Sequence, residues 1–241
     1  MKGLFITFEG IDGCGKTTQI KKIYSNLQKL NYPVLLTREP GGTKIAEKIR
    51  QLLLNPIYQN MNWRTELLLY TAARVQHLEE KIWPALRQGK IVICDRFYDA
   101  TIAYQGYGRR LPLNLIQKLH QLVCNNFQPN LTFILDLPVK IAQQRLKRSG
   151  KKRDRLEKEQ NHFQQRVRKG YLSLAKQHPR RCHLINATQE IKLITEEIMQ
   201  IILASLKKIK RSKNIPQGNI PFPEAEMSNL LSYKIYAANN Q

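Results

Sequence analysis

A lysine and two threonines close a glycine-spaced run in this chain, Gly10-Ile11-Asp12-Gly13-Cys14-Gly15-Lys16-Thr17-Thr18. The pattern is G-x-x-x-x-G-K-[ST], and the chemistry it suits is the cradling of phosphate. Glycines let successive backbone N–H groups turn inward onto phosphate oxygens. Lys16 places a point charge on the β- and γ-phosphates of a nucleotide, and the Thr17 hydroxyl can ligate Mg²⁺. Such a loop needs a strand before it and a helix after it. Gly3-Leu4-Phe5-Ile6-Thr7-Phe8-Glu9 reads as the strand. Gln19 to Leu30 reads as an amphipathic helix with Ile20, Ile23, Leu27 and Leu30 on one face. That setting separates the loop from a glycine-rich turn matching by chance. A helix opening at Lys16 also brings its positive dipole end to the phosphate.

Further chemical candidates sit at the ends of predicted strands. Val34-Leu35-Leu36-Thr37 is a short apolar run, as expected of a strand covered on both faces. It enters Arg38-Glu39-Pro40-Gly41-Gly42-Thr43, a turn at a strand's carboxyl end, where open α/β sheets keep their ligands. Arg38 and Glu39 suit an anionic substrate there, although a capping or structural ion pair uses the same residue types. Lys90 to Arg96 is a third strand, and an apolar strand ending in Asp95 matches the second Mg²⁺-binding motif of phosphate-loop enzymes. Asp99, Thr101, Tyr104 and Gln105 follow, then a Gly106-Tyr107-Gly108-Arg109-Arg110 loop.

The remaining elements must hold these groups. Ile45, Ile49, Leu52 and Leu53 form the face of a helix after Thr43. Trp63 to Leu86 reads as one long helix, with Leu67, Leu68, Thr71, Val75, Leu78 and Ile82 at helical spacing. Tyr70 and Arg74 share one of its faces. An arginine among Ala72, Ala73 and Val75 either snorkels or reads the polar edge of a ligand. Leu113 to Cys124 and Ile191 to Leu206 are further helices; Leu131 to Leu137 and His183 to Ala187 are the fourth and fifth strands.

A chain of 241 residues, 42% of them apolar, suits one α/β domain, or one domain and a tail. No apolar run approaches the ~18–20 residues of a membrane span. The start of the chain leads straight into a strand, so no export signal is expected and the location expected is the cytoplasm. Cys14, Cys94, Cys124 and Cys182 lack C-x-x-C spacing, which argues for free thiols in a reducing compartment rather than disulfides or zinc. The net charge of +22 calls for a polyanionic partner or reflects a lysine-biased surface. Much of it lies between residues 140 and 181: Arg145, Lys147, Arg148, Lys151, Lys152, Arg153 and Arg155 flank Gly150, and Arg166, Arg168 and Lys169 follow on a helix. Nucleic-acid binding would call for interleaved aromatics or a recognition helix, and neither is evident. An arginine-rich lid closing over transferring phosphates fits the part nearest Gly150. Lys207 opens a basic run, and residues 209–241 read as a Pro/Gly/Asn-rich tail without a core of its own.

Taken together, Phe8 to Gln19, Thr37-Arg38-Glu39-Pro40-Gly41-Gly42-Thr43, Tyr70-Thr71-Ala72-Ala73-Arg74, Asp95-Arg96, Ala103-Tyr104-Gln105-Gly106 and Asp154-Arg155-Leu156-Glu157 resemble the bacterial thymidylate kinase family. The resemblance runs from about residue 3 to 206. It implies a phosphate-loop nucleoside monophosphate kinase fold of class α/β, a five-stranded parallel sheet flanked by helices. A lid at about 147–156 belongs to a domain spanning 1–208. The implied reaction is phosphoryl transfer from Mg-ATP to dTMP by a homodimer. By that likeness Gly10, Ile11, Asp12, Gly13, Cys14, Gly15, Lys16, Thr17 and Thr18 bind ATP, with Thr17 and Asp95 at Mg²⁺. Arg38, with Glu39 and Pro40 beside it, and Arg96 hold the acceptor phosphate. Tyr70 stacks on thymine, Arg74 reads its edge, Gln105 contacts the base, Thr101 lies alongside, and Tyr104 lies against the sugar and disfavours a ribose. Asp12 reaches the acceptor from the loop.

Departures from the family pattern shift some of these roles. Several members carry an arginine where this loop has Gly13, so the compensating charge is expected from Arg148, Arg153 and Arg155 of the lid. Tyr70 stands in place of the usual phenylalanine, Ala100 in place of a common serine, and the lid is one residue longer than in close relatives. The alternatives are a kinase for another nucleoside monophosphate and a basic nucleic-acid-binding ATPase.

Overall fold

The computed structural model describes residues 3–150, 154–157 and 159–212. Of the tail expected at 209–241, residues 209–212 are helical and the rest lies outside the described residues, as do Lys151, Lys152 and Arg153 of the expected lid. The sheet has five parallel strands, β1 (Leu4–Glu9), β2 (Val34–Arg38), β3 (Ile91–Asp95), β4 (Leu131–Asp136) and β5 (Cys182–Asn186), in the order β2-β3-β1-β4-β5. Every residue of β1 is buried, as are Leu131 to Leu135 of β4, because these central strands have neighbours on both sides and helices on both faces. The apolar run at β2 is instead an edge strand, and Leu36 is exposed.

The chain winds to one edge through β2 and β3 and to the other through β4 and β5, so the direction reverses at β1. Ligands of open α/β sheets bind at such a switch point, outside the carboxyl ends of the strands. Register brings the carboxyl ends level there: Phe8 pairs with Asp95, and Asp95 with Arg38.

The helices are α1 (Lys16–Lys29), α2 (Lys44–Leu54), α3 (Trp63–His77), α4 (Trp83–Arg87), α5 (Tyr98–Thr101), α6 (Leu113–Cys124), α7 (Val139–Arg148), α8 (Asn161–Gln177) and α9 (Ile191–Ser212). The compact unit holding the sheet ends at Ile202, and the last turns of α9 belong to a second unit starting at Leu203. Thr43 and Asn62 cap α2 and α3, their side-chain oxygens accepting from Ala46 N and Arg64 N.

The expected helix from Trp63 to Leu86 is continuous but widens into a π-helical turn over Leu78–Ile82. Pro84 has no N–H to donate to the Glu80 carbonyl, and the helix widens just ahead of it. Leu68 also departs from expectation and is exposed, while Leu67, Thr71, Arg74 and Leu78 face inward. The expected loop at Gly106–Arg110 is largely helical, a π-helical stretch running over Ile102–Gly108. Its glycines are there for close packing. A Cβ on Gly106 would lie 2.5 Å from Leu113 Cδ2, and one on Gly108 would lie 2.7 Å from the Phe163 ring. All four cysteines are free and buried.

Candidate active site

The phosphate loop connects β1 to α1. Gly15 precedes α1 in the left-handed region, with φ of 100°, and no side chain caps the first turn. The first N–H groups of the helix are therefore left for a ligand. Lys16 is buried, and its Nζ donates to the carbonyls of Gly10 at 3.0 Å and Ile11 at 3.2 Å, so its charge lies within the arc of the loop. A Cβ on Gly13 would stand 2.5 Å from the Ala142 carbonyl oxygen. The close approach of α7 therefore leaves no room for a side chain at this position.

Asp12 turns from the loop toward Arg96 and Tyr104. It pairs with Arg96 at 2.5 Å, accepts from Tyr104 Oη at 3.1 Å and lies 3.8 Å from Lys16 Nζ. Burial pushes its carboxyl up, but Arg96 and Lys16 overcome that and hold it at about 2. Asp12 is thus a fixed anion between two cations. Arg96 follows β3 in the left-handed region, with φ of 70°. Its Nη1 donates to the Gly10 carbonyl at 2.8 Å and to Tyr171 Oη at 3.0 Å, and its guanidinium lies over the Tyr104 ring.

On the far side of β3, Arg74 is buried. Its Nε donates to Glu39 Oε2 at 2.9 Å, and its Nη2 to Thr101 Oγ1 at 2.7 Å and the Phe97 carbonyl at 3.4 Å. His77, one turn on, bridges Glu39 at 3.2 Å and Thr37 at 2.6 Å. Glu39 thus has one oxygen on each partner, and it orients Arg74 toward the cleft; the peptide bond from Glu39 to Pro40 is cis. Gln105 is buried and donates to Glu66 Oε1 at 3.0 Å. Half-buried Tyr70 lies nearby; burial and the charge of Glu66 push its phenol up. Arg38 is exposed at the end of β2 and pairs with Glu47 at 3.0 Å. Asp95 ends β3 beside the loop, and its Oδ1 is buried without a hydrogen-bond partner.

Asp12, Lys16, Thr17, Arg38, Tyr70, Arg74, Asp95, Arg96, Tyr104 and Gln105 all line one cleft of about 1090 Å³. A single small-molecule pocket spans about 300–1,000 Å³, and this cleft lies just beyond the upper end of that range. The thymidylate kinase family model matches residues 8–198. A thymidylate kinase of Pelotomaculum thermopropionicum is 46% identical over 200 residues, which cover 83% of this chain and 93% of that protein. One of Mycoplasma capricolum is 45% identical over 213 residues, covering 88% of this chain and all of that protein. This chain belongs to the thymidylate kinase family. The crystal structure of thymidylate kinase from Ehrlichia chaffeensis superimposes with a TM-score of 0.67 at 40% identity, covering 83% of this chain and 98% of that one. The fold is therefore the phosphate-loop nucleoside monophosphate kinase fold.

Around the thymidylate kinase cleft the basic residues divide. Arg155 does not line it. Its Nε donates to the Leu53 carbonyl at 2.8 Å, and its Nη2 lies 2.5 Å from Glu66. Glu66 also holds Arg109, and these cations together with Gln105 bring its carboxyl below the usual value against the upward push of burial. Arg148 is exposed at the end of α7 and is absent from the lining, and Arg153 lies outside the described residues. Two arginines without a motif do line the cleft. Arg145 of α7 donates to the Ala187 carbonyl at 3.3 Å, and its Nη1 stands 4.0 Å from the Cβ position of Gly15. Arg50 of α2 donates to the Pro40 carbonyl at 2.8 Å. Their spacing on amphipathic helices gives no sign of this, because a solvated arginine would look the same.

Proposed function

We propose that this chain catalyses transfer of the γ-phosphoryl group of ATP to the 5′-phosphate of dTMP, giving dTDP and ADP. The observation that carries the reading is one cleft lined at one end by the phosphate loop and at the other by Arg74, Tyr104 and Gln105, with Arg96 and Asp12 between. In-line transfer asks for little covalent chemistry from protein groups; position and positive charge do most of it. Lys16 and the N–H groups of the loop hold the donor phosphates. Arg96 holds the acceptor phosphate, assisted by Arg38 at the mouth. Tyr70 stacks on the base, Arg74 and Gln105 read its edge, and Tyr104 closes the 2′ side of the sugar. Arg145 of α7 stands beside Gly15 of the loop and brings the charge that Gly13 does not.

The donor set also suits Mg²⁺. That ion is usually held by one or two carboxylates and the substrate phosphates rather than by an all-protein cage. The buried, unpartnered Oδ1 of Asp95 and the Thr17 hydroxyl at the start of α1 would hold it directly or through water. When bound it neutralises charge on the phosphates.

We place the enzyme in the cytoplasm as a homodimer. Among the described residues no helix is long and apolar enough to cross a membrane. Leu115 and Leu122 leave an apolar stripe exposed on α6, which packs beside α3, where Leu68 is exposed as well. Sedimentation velocity on the purified chain tests the assembly. The activity test is ADP release with Mg-ATP against dTMP, dUMP, UMP, CMP, AMP and GMP, with and without residues 209–241. Preference for dTMP in both forms is expected; turnover of another acceptor in its place would overturn the assignment.

A further inference from the structure

Glu9 is the one charged residue of an otherwise uncharged central strand, and it is fully buried. A carboxyl placed there needs partners for both oxygens. Its Oε1 accepts from the backbone N–H of Phe97 at 2.7 Å. Its Oε2 accepts from Tyr171 Oη at 2.8 Å, and that same hydroxyl accepts from Arg96 Nη1 at 3.0 Å. The two bonds converge on one residue. Arg96 sits in the left-handed region with φ of 70°, which strains a non-glycine residue and persists only where neighbours hold it. Its own N–H is held by the Phe8 carbonyl at 3.0 Å, and the next N–H is held by Glu9.

The hydroxyl that links Glu9 to the guanidinium comes from α8, and α8 is seated tightly. A Cβ on Gly170 would lie 2.9 Å from the Tyr107 ring, and Arg168 grips Asp136 through Nε and Nη2, at 2.7 and 2.9 Å. Tyr171 therefore has little freedom to follow a guanidinium that moves. With Glu9 ionised, the chain of donors runs in one sense, from Arg96 to Tyr171 to Glu9, and it ends on an acceptor.

We infer that Glu9 is a positioning residue for the acceptor phosphate, fixing Arg96 at its backbone through Phe97 and at its guanidinium through Tyr171. The inference rests on the proposed role of Arg96 at that phosphate. Glu9 touches no substrate and does not line the cleft.

The test, run at about pH 9 where Glu9 is ionised, compares Glu9→Gln, Tyr171→Phe and Arg96→Lys for kcat and for KM of dTMP and of ATP, with a melting curve for each. In Glu9→Gln the amide oxygen would still accept from Phe97 N–H, but the amide N–H would point at Tyr171 Oη and leave the tyrosine proton without an acceptor. Tyr171→Phe removes the link alone. A lost hydrogen bond to a charged group corresponds to about 1.5–3 kcal/mol, or roughly a ten- to hundredfold fall in kcat/KM for dTMP. That fall is expected in both variants, with KM for ATP unchanged, and adding Tyr171→Phe to Arg96→Lys should cost little more. Should Glu9→Gln not fold, Tyr171→Phe decides alone. Unchanged kcat/KM for dTMP in a folded Tyr171→Phe, while Arg96→Lys loses it, overturns the inference and leaves the function standing. Equal changes in both substrates' KM overturn it in favour of a general structural role. No effect of Arg96→Lys removes the role of Arg96, and the inference with it.

Discussion

Replacing Lys16 with methionine keeps a side chain of similar length and removes one charge with its donors. Here the Nζ donates to the carbonyls of Gly10 at 3.0 Å and Ile11 at 3.2 Å and stands 3.8 Å from the Asp12 carboxylate. Hydrogen bonds from a charged donor contribute about 1.5–3 kcal/mol. The Gly10 carbonyl keeps its bond from Arg96 Nη1 and the Ile11 carbonyl loses its donor, so the expected loss of stability is about 2 kcal/mol. At 2–4 °C per kcal/mol for chains of about this size, melting should fall by roughly 4–8 °C. Turnover should fall much further. A fixed donor aimed at charge developing in the transition state is worth about 10²–10³ in kcat. In the proposed role Lys16 brings a full charge to the transferring phosphoryl, so a loss of about 10³ is expected. The assay is ADP release at saturating Mg-ATP and dTMP, with a melting curve and a dTMP titration on the same preparation. The acceptor side does not rest on Lys16, so dTMP binding should persist. A folded Lys16→Met enzyme with kcat within about tenfold of the parent would refute the phosphate-loop assignment.

Tyr104→Ala should narrow the preference for dUMP over UMP, because the ring and its hydroxyl on Asp12 close the 2′ side; an unchanged ratio of kcat/KM values would remove Tyr104 from that role. Arg74→Leu leaves Glu39 buried against an apolar side chain, and breaking a buried pair costs about 3–5 kcal/mol, to be read from urea unfolding; a loss under about 1 kcal/mol would contradict the network. Stability should also carry an unusual pH slope. Burial, reinforced by Asp99, raises the Glu9 carboxyl from 4.5 to about 8, so between those values the folded chain holds a proton that the unfolded chain has released. Stability therefore declines as pH rises through that window, by up to about 1.4 kcal/mol per unit, and levels off above it. Asp12, lowered to about 2, acts in the opposite sense and contributes stability that is lost only as pH falls from about 4 toward 2. Denaturant midpoints taken from pH 4 to 9 should show the decline in the parent and a flatter profile in Glu9→Gln; identical slopes would mean that Glu9 is not its source.

Local signals made part of this molecule legible and left another part hidden. The phosphate loop could be read because its function is carried by backbone turns that only a few residue types permit, and those types stand in unbroken sequence. The central strands could be read because burial on both faces demands continuous apolar runs. At the edge the same demand is relaxed, and the apolar run of β2 overstated its cover. Charged groups were harder to place, since a charge on a helix is silent about which partner it meets. Arg155 looked like a lid cation by its place beside Gly150, yet Glu66, distant in sequence, takes it. Arg145 had no motif, yet it reaches the cleft because α7 is drawn against Gly13 too closely for any side chain there. Glycine at 13 and arginine at 145 are therefore one arrangement. Where the loop carries no side chain the helix can approach, and the helix then brings a cation of its own. Glu9 read in the sequence only as the last residue of the first strand, and its meaning lay in the fold. Only when β1, β3 and α8 are assembled does that carboxylate meet Phe97 and Tyr171, and only then does a single buried acid account for how the chemistry of Arg96 at the cleft is held in place.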